Sequence, residues 1–95
     1  LKEKEKQIEE IKNNIEKISA QINENPSIEL FYERAKHLVK LNEFPKAIND
    51  YNKILVIDAN QTYAKTQLEF LTTILKYNNT DIYANPNTNF DPWLE

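Results

Sequence analysis

The stretch YERAKHLVKLNEFPKAINDYNKILVIDAN, residues Tyr32 to Asn60, decides the fold. Its apolar residues recur at helical spacing: Ala35, Leu38 and Leu41, then Phe44, Ala47, Ile48, Tyr51, Ile54 and Leu55. Between the two runs stand only Asn42 and Glu43, enough for a tight turn. Asn42 tolerates a left-handed backbone better than other non-glycine residues. Pro45 suits the first turn of a helix, where its missing N–H is not needed. The stretch therefore reads as two helices reversed on each other. Ala35 and Ala47 are small enough to let their backbones come close.

Upstream, LKEKEKQIEEIKNNIEKISAQI predicts a helix with one narrow apolar stripe: Leu1, Ile8, Ile11, Ile15, Ile18 and Ile22. Asn25-Pro26 ends it, because the residue before proline is pushed out of the helical region. Ser27 is the expected N-cap of a second helix running to Leu41, with Leu30 and Phe31 in its apolar stripe. Downstream, Asn60 is the expected cap of a fourth helix to about Tyr77. Its apolar side is Tyr63, Ala64, Leu68, Leu71, Ile74 and Leu75. At an offset of about 33 residues, a spacing of helical-pair repeats, the pattern returns. Ile11 falls on Phe44, Ile15 on Ile48, Ile18 on Tyr51, Ile22 on Leu55, Leu30 on Tyr63, Leu38 on Leu71 and Leu41 on Ile74.

Tyr32 to Asn60 resembles a tetratricopeptide repeat. Ala35 stands for the family's small residue on its first helix, followed by Leu38. Leu41-Asn42-Glu43-Phe44 stands for its turn, Ala47 for its alanine, Tyr51 for its aromatic and Asp58-Ala59-Asn60 for its closing turn. The chain departs from the family at Phe31, just before the stretch, where tryptophan is usual, and at Ile54, where a small residue is usual. It departs again at Ala59, where proline is usual, and at Asn42, where glycine is usual. The resemblance implies an all-α, right-handed array of antiparallel helix-turn-helix units. Residues 1–77 would form the repeat domain, with one complete repeat over about 28–60 between two half-repeats. Residues 78–95, which the resemblance does not cover, are expected to form a tail packed on the last helix, covering the face of an unfinished array.

The family binds proteins and peptides on a concave face lined by the first helix of each pair. Counting around Ala35 carries that face onto Glu29, Tyr32, Lys36, Val39 and Lys40, and onto Thr62, Lys65, Glu69 and Thr73 of the fourth helix. Lys36 and Lys40 are one turn apart with Tyr32 a turn earlier, a basic track suited to an acidic peptide or a C-terminal carboxylate. The plain alternative is a solvated charged face. The expected role is thus a non-catalytic protein-binding scaffold.

Composition narrows the alternatives. Ninety-five residues with a net charge of −3 predict one domain and no basic stripe for nucleic acid. Without glycine there is no glycine-loop phosphate cradle. Without cysteine, and with His37 the only histidine, no metal site, cofactor or thiolate nucleophile is expected. No arrangement of acids and bases suggests an enzyme. The longest apolar run, Ile54 to Ile57, is too short for membrane insertion. The absence of cysteine leaves the compartment open. Because the chain starts at Leu1 and holds no methionine, its natural start is expected upstream.

Two features leave alternatives. The isoleucine stripe, Ile8, Ile11 and Ile15 above all, fits either repeat core or a self-association seam joining copies of the chain. The tail DIYANPNTNFDPWLE carries Tyr83, Phe90 and Trp93, which could cover the last helix, enter the groove of a neighbouring copy, or form a free linear motif. Within it, Asp91-Pro92-Trp93 is similar to a short motif of peptides that bind clathrin adaptor appendages.

Overall fold

The computed structural model describes residues 2–78, all in helices and short turns. Helix α1 spans Lys2–Glu24, α2 Ile28–Lys40, α3 Phe44–Ile57 and α4 Thr62–Asn78. Over the described residues the chain is therefore all-α with four helices, as the periodicity predicts. Leu1 and the tail residues Tyr83, Phe90 and Trp93 lie outside the described residues.

Local chemistry explains each boundary. Ser27 is extended (φ −148°), and its hydroxyl accepts the Leu30 backbone N–H at 3.2 Å, capping α2. Asn42 has φ 60°, the left-handed conformation that turns α2 into α3. Its N–H and that of Glu43 then bond the Val39 and Leu38 carbonyls at 2.9 Å, closing the end of α2. Pro45 sits in the first turn of α3. The expected cap at Asn60 is displaced by one residue. Gln61 supplies the first helical carbonyl of α4 to Lys65, whereas the Asn60 N–H is bound to the Asp58 carboxylate at 3.0 Å. An aspartate two residues upstream has captured that amide in a turn of its own.

Among the described residues each helix packs on its sequence neighbours: α1 on α2, α2 on α3, α3 on α4. The connections are too short for anything but reversal, so α2 and α4 run in the same direction on either side of α3. The core runs through the stack as Ile18 and Ile22 from α1, then Phe31, Ala35 and Leu38 from α2. Ala47, Ile48, Tyr51 and Ile54 continue it from α3, and Ala64 and Leu71 from α4. Ala35 and Ala47 are wholly buried, as close helix approach requires.

Among the described residues the stack holds an ion pair whose carboxylate is buried. Arg34 of α2 forks onto Asp50 of α3, Nε to Oδ2 at 2.9 Å and Nη2 to Oδ1 at 2.7 Å. Its remaining nitrogen, Nη1, donates to Ser19 Oγ of α1 at 3.0 Å, so one guanidinium joins three helices. Asp50 is only 2% exposed. Among the described residues no buried side-chain nitrogen or oxygen lacks a hydrogen bond.

The isoleucine stripe is buried by degrees. Ile22 and Ile18 are in the core, Ile15 and Ile11 are half-buried, and Ile8 is 38% exposed. Length accounts for this: α1 is about 34 Å long and α2 about 20 Å at 1.5 Å per residue, so the first turns of α1 overhang their partner.

Candidate functional site

A groove of about 720 Å³ opens between α2 and α4. Glu29, Tyr32, Lys36, Val39 and Lys40 line it from α2, Tyr51 from α3, and Gln61, Tyr63 and Gln67 from the start of α4. The α2 face counted around Ala35 thus comes together on one surface. The α4 face does not follow the count. Lys65, Glu69 and Thr73 are exposed but do not line this cavity. Thr62, likewise exposed, is also not part of its lining.

Helix geometry accounts for the difference. Ala64 and Leu71, wholly buried against α3, fix the rotation of α4 about its own axis. Tyr63 and Gln67, one turn apart, then face the groove, and Lys65 is turned about 200° from Tyr63 at 100° per residue. Tyr63, expected in the apolar core, is instead 59% exposed at the edge of that face.

The floor of the groove is a triad of tyrosines, one from each of three helices. Tyr32 and Tyr63 meet edge-to-face with ring centres 5.7 Å apart, Tyr32 and Tyr51 at 6.1 Å, and Tyr51 and Tyr63 at 6.4 Å. Such pairs contribute about 0.5–1.5 kcal/mol each beyond their burial. A chain of hydrogen bonds ties the triad to the α3–α4 turn. The Tyr32 hydroxyl donates to Gln61 Oε1 at 3.0 Å, and Gln61 Nε2 donates to Asp58 Oδ2 at 3.0 Å. That bond from Gln61, with the Asn60 amide on the other oxygen, holds the Asp58 carboxyl below its ordinary range.

Charge is distributed along the groove. Glu29 stands in the first turn of α2 and Lys40 in its last, the arrangement a helix dipole favours, with Glu33 and Lys36 between them. His37 is not available as a ligand through Nδ1, which donates to the Glu33 carbonyl at 2.8 Å. Among the described residues no cluster of histidine and acidic side chains could hold a metal ion, and no helix is long and apolar enough to cross a membrane.

Tyr51 gives the floor a titration signature. Burial, then the neighbouring Tyr63 and Tyr32 and the charge of Asp50, push its hydroxyl up to about 12. A group raised in the folded state stabilises the fold fully below its ordinary value, and that contribution is lost as pH climbs to the raised one. Thermal melts should therefore lose stability between pH 10 and 12. Tyr51→Phe should be less sensitive across the same window; equal losses would show that Tyr51 does not govern it.

A second hollow, about 320 Å³, lies between Ile15, Ser19, Arg34, Asp50 and Lys53. In it the half-buried Arg34 and the buried Asp50 are already satisfied by each other. That ion pair and the Tyr32–Tyr51–Tyr63 contact escaped sequence reasoning. A signal for the first existed: Arg34 is the chain's only arginine among eleven lysines, and it stands beside the buried Ala35. Compared with protein-family models, curated proteins and solved structures, the chain finds no match.

Proposed function

We propose that this chain is a non-catalytic protein-interaction module of tetratricopeptide type, holding an extended acidic segment of a partner in the groove between α2 and α4. The observation that carries this reading is a three-tyrosine floor directly beside Lys36 and Lys40. Aromatic rings provide contact area at low conformational cost. The two ammonium groups give an acidic chain its direction. The residues retained from counting are Glu29, Tyr32, Lys36 and Lys40. Tyr51, Tyr63 and Gln67 join them, while Lys65, Glu69 and Thr73 lie outside the groove.

Fluorescence-labelled acidic peptides carrying an aromatic residue provide the test. Those that bind should lose about tenfold in affinity, or 1.4 kcal/mol, on the Lys36→Glu/Lys40→Glu double substitution. Unchanged affinity would exclude this groove.

A second reading is favoured by the overhang of α1. Ile8, with Ile11 and Ile15 behind it, continues the core stripe past the end of α2 and could pair copies of the chain. Light scattering decides it: an oligomer that Ile8→Glu dissociates supports the reading, and a concentration-independent monomer removes it.

A further inference from the structure

The groove and the segment that follows α4 have complementary chemistry. Residues 79–95 carry Asp81, Asp91 and Glu95 but no lysine, arginine or histidine, and they add Tyr83, Phe90 and Trp93. The groove offers two lysines beside three tyrosine rings. Resting on the reading of that groove as a peptide-binding site, we propose that this segment is its resident occupant in the same molecule. Asp91 sits at Lys36 and Lys40, and Trp93 lies on the tyrosine floor.

The spacing supports this register. Side chains two apart on an extended chain share a face and stand about 6.6 Å apart. Lys36 and Tyr32, one helical turn apart, are separated by about 6 Å along α2. Asp91 and Trp93 therefore match Lys36 and Tyr32 in distance and in chemistry. Pro92 fixes its own φ and biases Asp91 towards the extended conformation that this match requires.

The segment is also long enough. Since α2 and α4 run the same way, α4 ends on the lysine side of the groove. Asn78 lies eleven residues, about 17 Å of helix, past Gln67, the last α4 residue on the groove. Seventeen residues reach at most about 60 Å, ample for a return to the lysines and a passage to the tyrosines. Asp81, only three residues after Asn78, is too close to the helix end to make that return. The same direction carries Glu95 towards Glu29. That like-charge approach weakens the closure and leaves the groove open to competition by another acidic segment.

Trp93 is the only tryptophan, so the 95-residue chain reports on its own closure. Its emission should be blue-shifted and several-fold less quenched by acrylamide than free tryptophan, independent of protein concentration. Asp91→Lys alone, or Lys36→Glu/Lys40→Glu alone, should expose it. Combining the two should restore protection by exchanging the charges, with circular dichroism confirming unchanged helix content throughout. Full quenching in the unsubstituted chain overturns the proposal. Protection that ignores either reversal overturns it too, placing the segment elsewhere, for instance over Phe70, which is 58% exposed on α4. Protection that grows with concentration assigns the groove to a second copy instead. If labelled acidic peptides lose affinity on the lysine reversal while Trp93 is indifferent to it, the groove stands and only its occupant is wrong.

Discussion

Replacing Arg34 by alanine should lower the unfolding free energy by about 3–5 kcal/mol, read as a shift of the urea midpoint with its slope unchanged. The cause is the carboxylate left behind. Asp50 is 2% exposed, and both its oxygens are bound by the guanidinium fork. Without the fork, a buried charge has lost its counterion and two hydrogen bonds. Against a total stability of roughly 5–15 kcal/mol for a small domain, that loss is severe. Ser19 adds a smaller share, because its hydroxyl on Nη1 is a single bond that water can replace. The companion experiment is Arg34→Met with Asp50→Leu, which removes both charges. Its stability should return most of the way to that of the parent chain, since an apolar pair carries no desolvation penalty. A double variant as unstable as Arg34→Ala would mean that packing, not the unpaired charge, dominates.

Ile54→Ala should cost about 2–5 kcal/mol by the same measurement. Ile54 is wholly buried and ranks, with Leu71, among the largest side chains that are. It is buried with Ala47, Ile48 and Tyr51 of the same helix. Removing the branched chain leaves a void between rigid helices. Close packing of the core around Ala35 and Ala47 limits how far they can collapse into it. Ile54→Val, which removes one methylene, should cost only about 0.5–1.5 kcal/mol. Equal losses for the two variants would mean that the site relaxes and holds no cavity.

The helices were legible in the sequence because their signals are local. Ser27, Pro45 and Asn42 each act on backbone groups within a turn, and the stripe of each helix repeats every three or four residues. The α2 side of the groove was legible for the same reason, since Ala35 anchors a face that can be counted outward to Tyr32, Lys36 and Lys40. The α4 side was not. Its rotation is set by how Ala64 and Leu71 seat on α3, and Tyr63 at the edge of that seat reads as apolar core by composition alone. For the Arg34–Asp50 bond the sequence offered a hint, the single arginine, but not the partner. A charged residue on a helix is usually solvated, and only the tertiary packing shows that this pair faces inward across sixteen residues of sequence.

Packing of each helix on its chain neighbours has a kinetic consequence. Every interface closes across a turn of three or four residues, so little loop entropy must be lost before a contact forms. Such a low contact order is a mark of helical proteins that fold in microseconds to milliseconds. The α2–α3 hairpin, with Ala35 and Ala47 at its centre, is the natural nucleus, and α1 and α4 can add to its two sides independently. The tyrosine floor is then the last element to be completed, because it needs α4 to dock on a hairpin that already exists.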